Sequence, residues 1–152
     1  MKNLKKGFTL IELLVVIAII GILATTLAPK LREQLAKAKD SKAIAVLGAS
    51  RTAAGVAFTD NMVSTTTGAV SVTFSDIKDR LDAKSVELMT TSGTGVSLPV
   101  GGTRSSASDD SVTYGGTIAL TLATSDSSVN FGTTSNGTGE TFSTEKKEWT
   151  KY

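Results

Sequence analysis

The chain offers few groups that could do chemistry. It has no Cys and no His, which excludes disulfides, thiolate nucleophiles, Ser-His-Asp and Cys-His catalysis, and the usual zinc sites. Carboxylates and hydroxyls remain. Two carboxylates can run a glycosidase, but no pair here is placed in one cleft by its spacing. No catalytic residue and no metal site is expected. Asp109-Asp110 and Asp126 sit in Ser-rich turns and read as solvated acids, without a clear ladder of calcium ligands. Asn136-Gly137-Thr138 is a formal glycosylation sequon, but Asn-Gly is first a turn signal.

One acid stands apart. Glu12 is the single charge in an apolar run of 21 residues, Phe8 to Ala28. As a helix, that run crosses a bilayer core of about 30 Å. A carboxylate inside it costs about 2.5–3.5 kcal/mol unless something compensates. Lys2, Lys5 and Lys6 precede the run and hold that end cytoplasmic, so the rest of the chain crosses the membrane. A secretory signal peptide fits poorly. Thr26-Leu27-Ala28 vaguely has a small-x-small form, but Pro29 follows directly and the run is long and acid-bearing. A plain signal anchor would leave Glu12 an accident.

The elements that position Glu12 follow from the pattern. Continuous lipid selects helix for the β-branched run, and Gly21 and Pro29 are its weak points. Thr25 and Thr26 between them can bond back to carbonyls. From Lys30 the helix turns amphipathic, with Leu31, Leu35, Ala38, Ala45, Ala49, Ala53 and Val56 as the expected apolar stripe. It is expected to end between Phe58 and Asn61, about 75 Å from its start. Residues 30–58 carry six basic and two acidic side chains, and residues 59–152 seven and eleven. Neither balance points to nucleic acid, and no nucleic-acid site is expected. The band Lys30, Arg32, Lys37, Lys39 and Lys42 reads as a solvated face or a headgroup contact, or, in a filament, as a partner for acids on adjacent subunits.

Beyond Asp60, Ser, Thr and Gly take over. Residues 75–81 read as a short helix capped by Ser75. Strands are expected at 69–74, 86–90, 96–100, 111–114, 117–124 and 128–132, with Ile118, Leu120 and Leu122 on one face. Gly93, Gly95, Gly101-Gly102, Gly115-Gly116 and Asn136-Gly137 mark turns. The tail 140–152 reads as a last strand anchored by Phe142 and Trp149. This region is thin in large apolar residues and needs the stripe of residues 31–58 as its other wall.

The segment Lys5-Lys6-Gly7-Phe8-Thr9-Leu10-Ile11-Glu12, with Gly21 and Pro29 beyond it, resembles the type IV pilin family and its relatives, the type II secretion pseudopilins. The resemblance covers roughly residues 1–35. It implies an α+β pilin fold, a long N-terminal helix packed against a C-terminal antiparallel sheet domain. Residues 1–7 would be a leader, 8–29 the transmembrane and filament-core half of the helix, 30–60 its amphipathic half, and 61–152 the β domain. A prepilin peptidase and methyltransferase would cut between Gly7 and Phe8 and methylate the Phe8 amine. The subunit would wait in the cytoplasmic membrane. An assembly platform and ATPase would then add it to a homopolymer, a cell-surface filament serving adhesion, motility or DNA uptake.

In that filament Glu12 would pair with a neighbour's amine and fix the register, since a buried carboxylate is tolerable only when paired. A pair with the amine of its own subunit, one turn away, is also open. Gly21 and Pro29 would mark a segment that melts during assembly. No cofactor is implied. The alternative is a major pseudopilin, which would carry a calcium loop near its C-terminus. Many type IV pilins pin a C-terminal loop with a disulfide, which this chain cannot form.

Overall fold

The computed structural model describes residues 7–65, 68–92, 95–125, 128–134 and 142–152. Its longest element is helix α1, Leu10–Ser64, which passes through Pro29. It ends three residues beyond the expected limit. The chain divides into two compact units, Met1–Gln34 and Leu35–Tyr152.

In the first unit every described side chain from 7 to 32 is exposed, the whole apolar run included. This stretch of α1 is long and apolar enough to cross a membrane, and none of it is buried within the chain. Thr25 and Thr26 use their hydroxyls as expected. Thr25 Oγ1 donates to the Ile22 carbonyl at 2.8 Å and Thr26 Oγ1 to that of Leu23 at 2.9 Å.

The second unit is an α+β domain. Among the described residues, seven antiparallel strands follow two short helices, α2 (Phe74–Lys78) and α3 (Ala83–Leu88). Strands β1 (Thr90–Ser92), β2 (Gly95–Pro99), β5 (Thr117–Ser125) and β6 (Ser128–Thr134) form one sheet in that order. Strands β4 (Thr113–Tyr114), β3 (Gly102–Arg104) and β7 (Phe142–Ser143) form a second. Pairing β2 with β5 sets Leu98 opposite Ile118 and Val96 opposite Leu120. All four are buried, and with Val100, Met89, Ile77 and Trp149 they form the core over α1. Leu122 packs at its margin, on the expected face.

The face of α1 that meets this core differs from the expected stripe. Ala36, Asp40, Ala43, Leu47, Ser50, Ala54 and Ala57 are buried at spacings of three and four, with Val46, Ala53 and Phe58 beside them. Of the expected stripe only Ala53 is buried, and Leu31, Leu35 and Val56 stay exposed. The reason is polar satisfaction. Asp40 and Ser50 belong to the buried face because each has partners there, and small side chains beside them let the loops come close. Gly101 shows how close: a Cβ on it would stand 1.9 Å from the Ala36 carbonyl oxygen.

Local capping overrides other expectations. Helix α2 is capped by Thr73, not Ser75. Thr73 Oγ1 accepts from the Asp76 N–H while the Asp76 carboxylate accepts from the Thr73 N–H, a reciprocal box that fixes the start two residues earlier. Residues 69–73 consequently lead into this cap and form no strand. Residues 86–88 are helical, because Asp82 accepts from the Ser85 N–H and starts α3. The tail is not one strand either. Lys146 has φ 64 and reverses the chain after β7. Phe142 and Glu148 form a single bridge, and Trp149–Lys151 closes as a 3-10 helix. Gly115 and Gly116 turn the chain as expected, with φ 86 and 105. The turns at Gly93 and Asn136-Gly137, and Asp126, lie outside the described residues.

Candidate functional site

The residues singled out by their chemistry lie at the start of α1. Gly7 and Phe8 precede the helix, and Phe8 is 74% exposed. Thr9 stands in the capping position before Leu10. Its N–H donates to Glu12 Oε2 at 2.8 Å and its hydroxyl to the same oxygen at 2.7 Å. The Glu12 N–H donates back to Thr9 Oγ1 at 3.3 Å. Glu12 therefore closes a capping box on its own helix. This partly answers what compensates the acid: two donors meet one of its oxygens, both from a residue three positions away. Sequence reasoning passed over Thr9, although the Thr-x-x-Glu spacing that signals the box is plain in the chain.

The glycines near this site are not required by packing. A Cβ on Gly7 or on Gly21 would meet nothing within 4 Å. Pro29 lies inside α1, where it leaves the Thr25 carbonyl without its helical donor. Lys5 and Lys6 lie outside the described residues.

A second acid on α1, which sequence reasoning did not single out, organises the β domain. Asp40 is 3% exposed. Its Oδ1 accepts from the N–H groups of Gly101 at 2.8 Å and Gly102 at 3.4 Å. Its Oδ2 accepts from the Thr144 N–H at 3.1 Å and the Thr144 hydroxyl at 2.5 Å. One carboxylate thus ties the helix to β3 and to the tail. Arg104, also buried, donates to the carbonyls of Thr144 and Asp109 at 3.2 and 2.8 Å. Trp149 is 1% exposed, and its carbonyl accepts from the Thr133 hydroxyl at 2.6 Å. Arg51 donates to the carbonyl of Tyr152. These contacts hold the tail without a disulfide.

The acids of the Ser-rich loop are engaged by their neighbours. Asp109 accepts from Ser105 Oγ, Ser111 Oγ and the Ser111 N–H at 2.6, 2.7 and 2.9 Å. Those bonds, the Ser105 one first, lower its pKa to about 2. Asp110 accepts from Lys146 at 2.6 Å, which lowers its pKa also. Among the described residues no three acids converge as a metal site would require.

The site is thus a capped acid at the start of a helix long and apolar enough to cross a membrane, in a chain that continues into an antiparallel β domain. Residues 2–28 match the prokaryotic N-terminal methylation motif. The type IV major fimbrial protein FimA of Dichelobacter nodosus is 49% identical over 53 residues, 35% of this chain and 34% of that protein. The type IV major alpha-pilin of Moraxella bovis is 46% identical over 55 residues, 36% of this chain and 35% of that protein. The chain thus spans about a third of the length of these relatives. The fimbrial protein EcpC of Eikenella corrodens is 31% identical over 136 residues, 90% of this chain and 86% of that protein. The chain belongs to the type IV pilin family of fimbrial proteins. Fimbrial relatives favour the pilin over the pseudopilin reading. No solved structure matches the chain.

Proposed function

We propose that the chain is the repeating subunit of a type IV pilus, made as a membrane precursor and polymerised with copies of itself at the cell surface. One observation carries this reading. The apolar half of α1 has every described side chain exposed, so it needs lipid before assembly and other apolar helices afterwards. A prepilin peptidase cuts between Gly7 and Phe8, and the new Phe8 amine is methylated. The match to the methylation motif supports this, as does the absence of any packing need for glycine at position 7. An assembly platform and ATPase then extract the subunit. No cofactor enters this function, and adhesion, motility or DNA uptake would belong to the finished fibre.

Glu12 gives assembly its direction. In a bundle of helices it lies in low dielectric, where an unpaired carboxylate is expensive and one paired with an ammonium is tolerable. Thr9 meets only one of its two oxygens in the contacts described above, which leaves Oε1 for the Phe8 amine of a neighbour. Gly21 and Pro29 bound the segment in which α1 loosens as the fibre forms or stretches. The test is electron microscopy of filaments sheared from cells, with intact mass of the subunit. The expected result is long fibres whose subunit begins at N-methyl-Phe8. Glu12→Ala should be inserted and processed but give few filaments, and normal filament yield from that variant would sink the pairing.

A further inference from the structure

The second compact unit holds a cavity lined by residues of α1, α3 and the β2 region. Its volume is about 230 Å³. Leu98, Val100 and Ala43 line it and are buried, and Leu88 from α3 closes one side. Lys39 and Lys42 also line it, and both are exposed. No Asp or Glu lines the cavity, and neither ammonium has a hydrogen-bond or ion-pair partner among the described residues. An apolar floor beside two exposed lysines is complementary to one kind of solute.

We propose that this cavity binds a small amphiphilic anion, an aromatic or short aliphatic body carrying one carboxylate. The apolar body would cover Leu98, Val100 and Leu88, and the carboxylate would accept charge-assisted hydrogen bonds from Lys39 and Lys42. The volume is below that of a typical drug-sized site, which limits the ligand to a single ring or a short chain. Lysine stems lying along an apolar surface keep their heads in water, so the anion meets them without burying an unpaired charge.

The full chain, held in nanodiscs of neutral phosphatidylcholine, would be titrated with para-trifluoromethylbenzoate and followed by fluorine NMR. The uncharged benzyl alcohol and the benzylammonium of the same body serve as comparisons, and empty nanodiscs give the lipid background. The expected result is saturable binding of the carboxylate, about ten-fold tighter than the alcohol, with no saturable binding of the ammonium. Lys39→Gln with Lys42→Gln should erase the preference over the alcohol, and Leu88→Trp, which fills the cavity from its side, should weaken both. Circular dichroism would confirm that each variant is folded. No saturation above empty nanodiscs, equal binding of the three probes, or carboxylate binding unchanged in either variant would overturn the proposal. None of these outcomes depends on whether the chain forms filaments.

Discussion

Of the four acids on helix α1, Asp40 and Glu12 are solved in opposite ways. Asp40 is buried and collects four donors from residues 61 to 104 positions away. Its needs are met wholly by its own chain. Glu12 is exposed, and its described donors both belong to Thr9, three positions away. The first acid is part of how the domain folds. The second has partners that any helix start could supply, and capacity to spare. An acid with many distant partners is a fastener within one molecule. An acid with only local partners, in an apolar helix, is available to another molecule.

The largest effect should come from removing the fastener. Asp40→Ala leaves the N–H groups of Gly101, Gly102 and Thr144 and the Thr144 hydroxyl without their acceptor, in a buried place. Each such group costs about 1–3 kcal/mol, so the domain should lose at least about 3 kcal/mol. The chain has one Trp, and Trp149 lies in this core, so its fluorescence during denaturant unfolding reads the loss directly. The same measurement on Glu12→Ala should show a change within about 0.5 kcal/mol, the range of surface substitutions. A large loss there would break the contrast between the two acids.

Gly101→Ala should rank next. The added Cβ meets the carbonyl oxygen, carbon and Cα of Ala36 at 1.9, 2.5 and 2.6 Å, all backbone atoms that cannot swing away. The loop must lift from the helix, at about 1–3 kcal/mol, and the Trp149 unfolding midpoint should fall accordingly. Thr9→Val sharpens the other side of the comparison. It removes the capping hydroxyl and should cost about 1 kcal/mol of helix start. Hydrogen exchange should quicken at Leu10–Leu13 while the Trp149 transition stays where it was.

How much of this was legible in the chain follows the same division. The apolar run, its single acid and the junction at Gly7-Phe8 are local in sequence, and the structure keeps them together. The strands 96–100, 117–124 and 128–132 were legible too, because alternation of Val, Leu and Ile survives in the register that pairs Leu98 with Ile118. The buried face of α1 was not. Apolarity alone pointed to Leu35 and Val56, while the face actually used includes Asp40 and Ser50, and only distant donors make Asp40 tolerable there. The capping boxes at Thr9 and Thr73 were legible but unread, since both show the spacing of a hydroxyl three residues before an acid. The tail could not be read as it is, because its fold depends on Lys146 in a left-handed conformation and on contacts with Asp40 and Thr133 far upstream.

The smallest expected effect concerns an acid whose partners are again local. Asp109 is held by Ser105 and Ser111, and its folded pKa is about 2 against an ordinary value of 3.8. A carboxyl depressed in the folded state adds stability above its unfolded pKa and loses it as pH falls through the folded one. The contribution should therefore be full above about pH 5 and lost progressively as the pH falls to about 1. Carbon NMR of the carboxyl should give a midpoint near 2, and Ser105→Ala should raise it, since the Ser105 hydroxyl is the leading cause of the shift. Like Glu12, Asp109 draws on serine and threonine neighbours rather than on the core and is solvent-screened, so Asp109→Asn should lower the Trp149 transition at neutral pH only slightly, and far less than Asp40→Ala. A midpoint near 4 would mean that the three bonds are not held in solution, and that local partners bind an acid more loosely than the distant partners of Asp40.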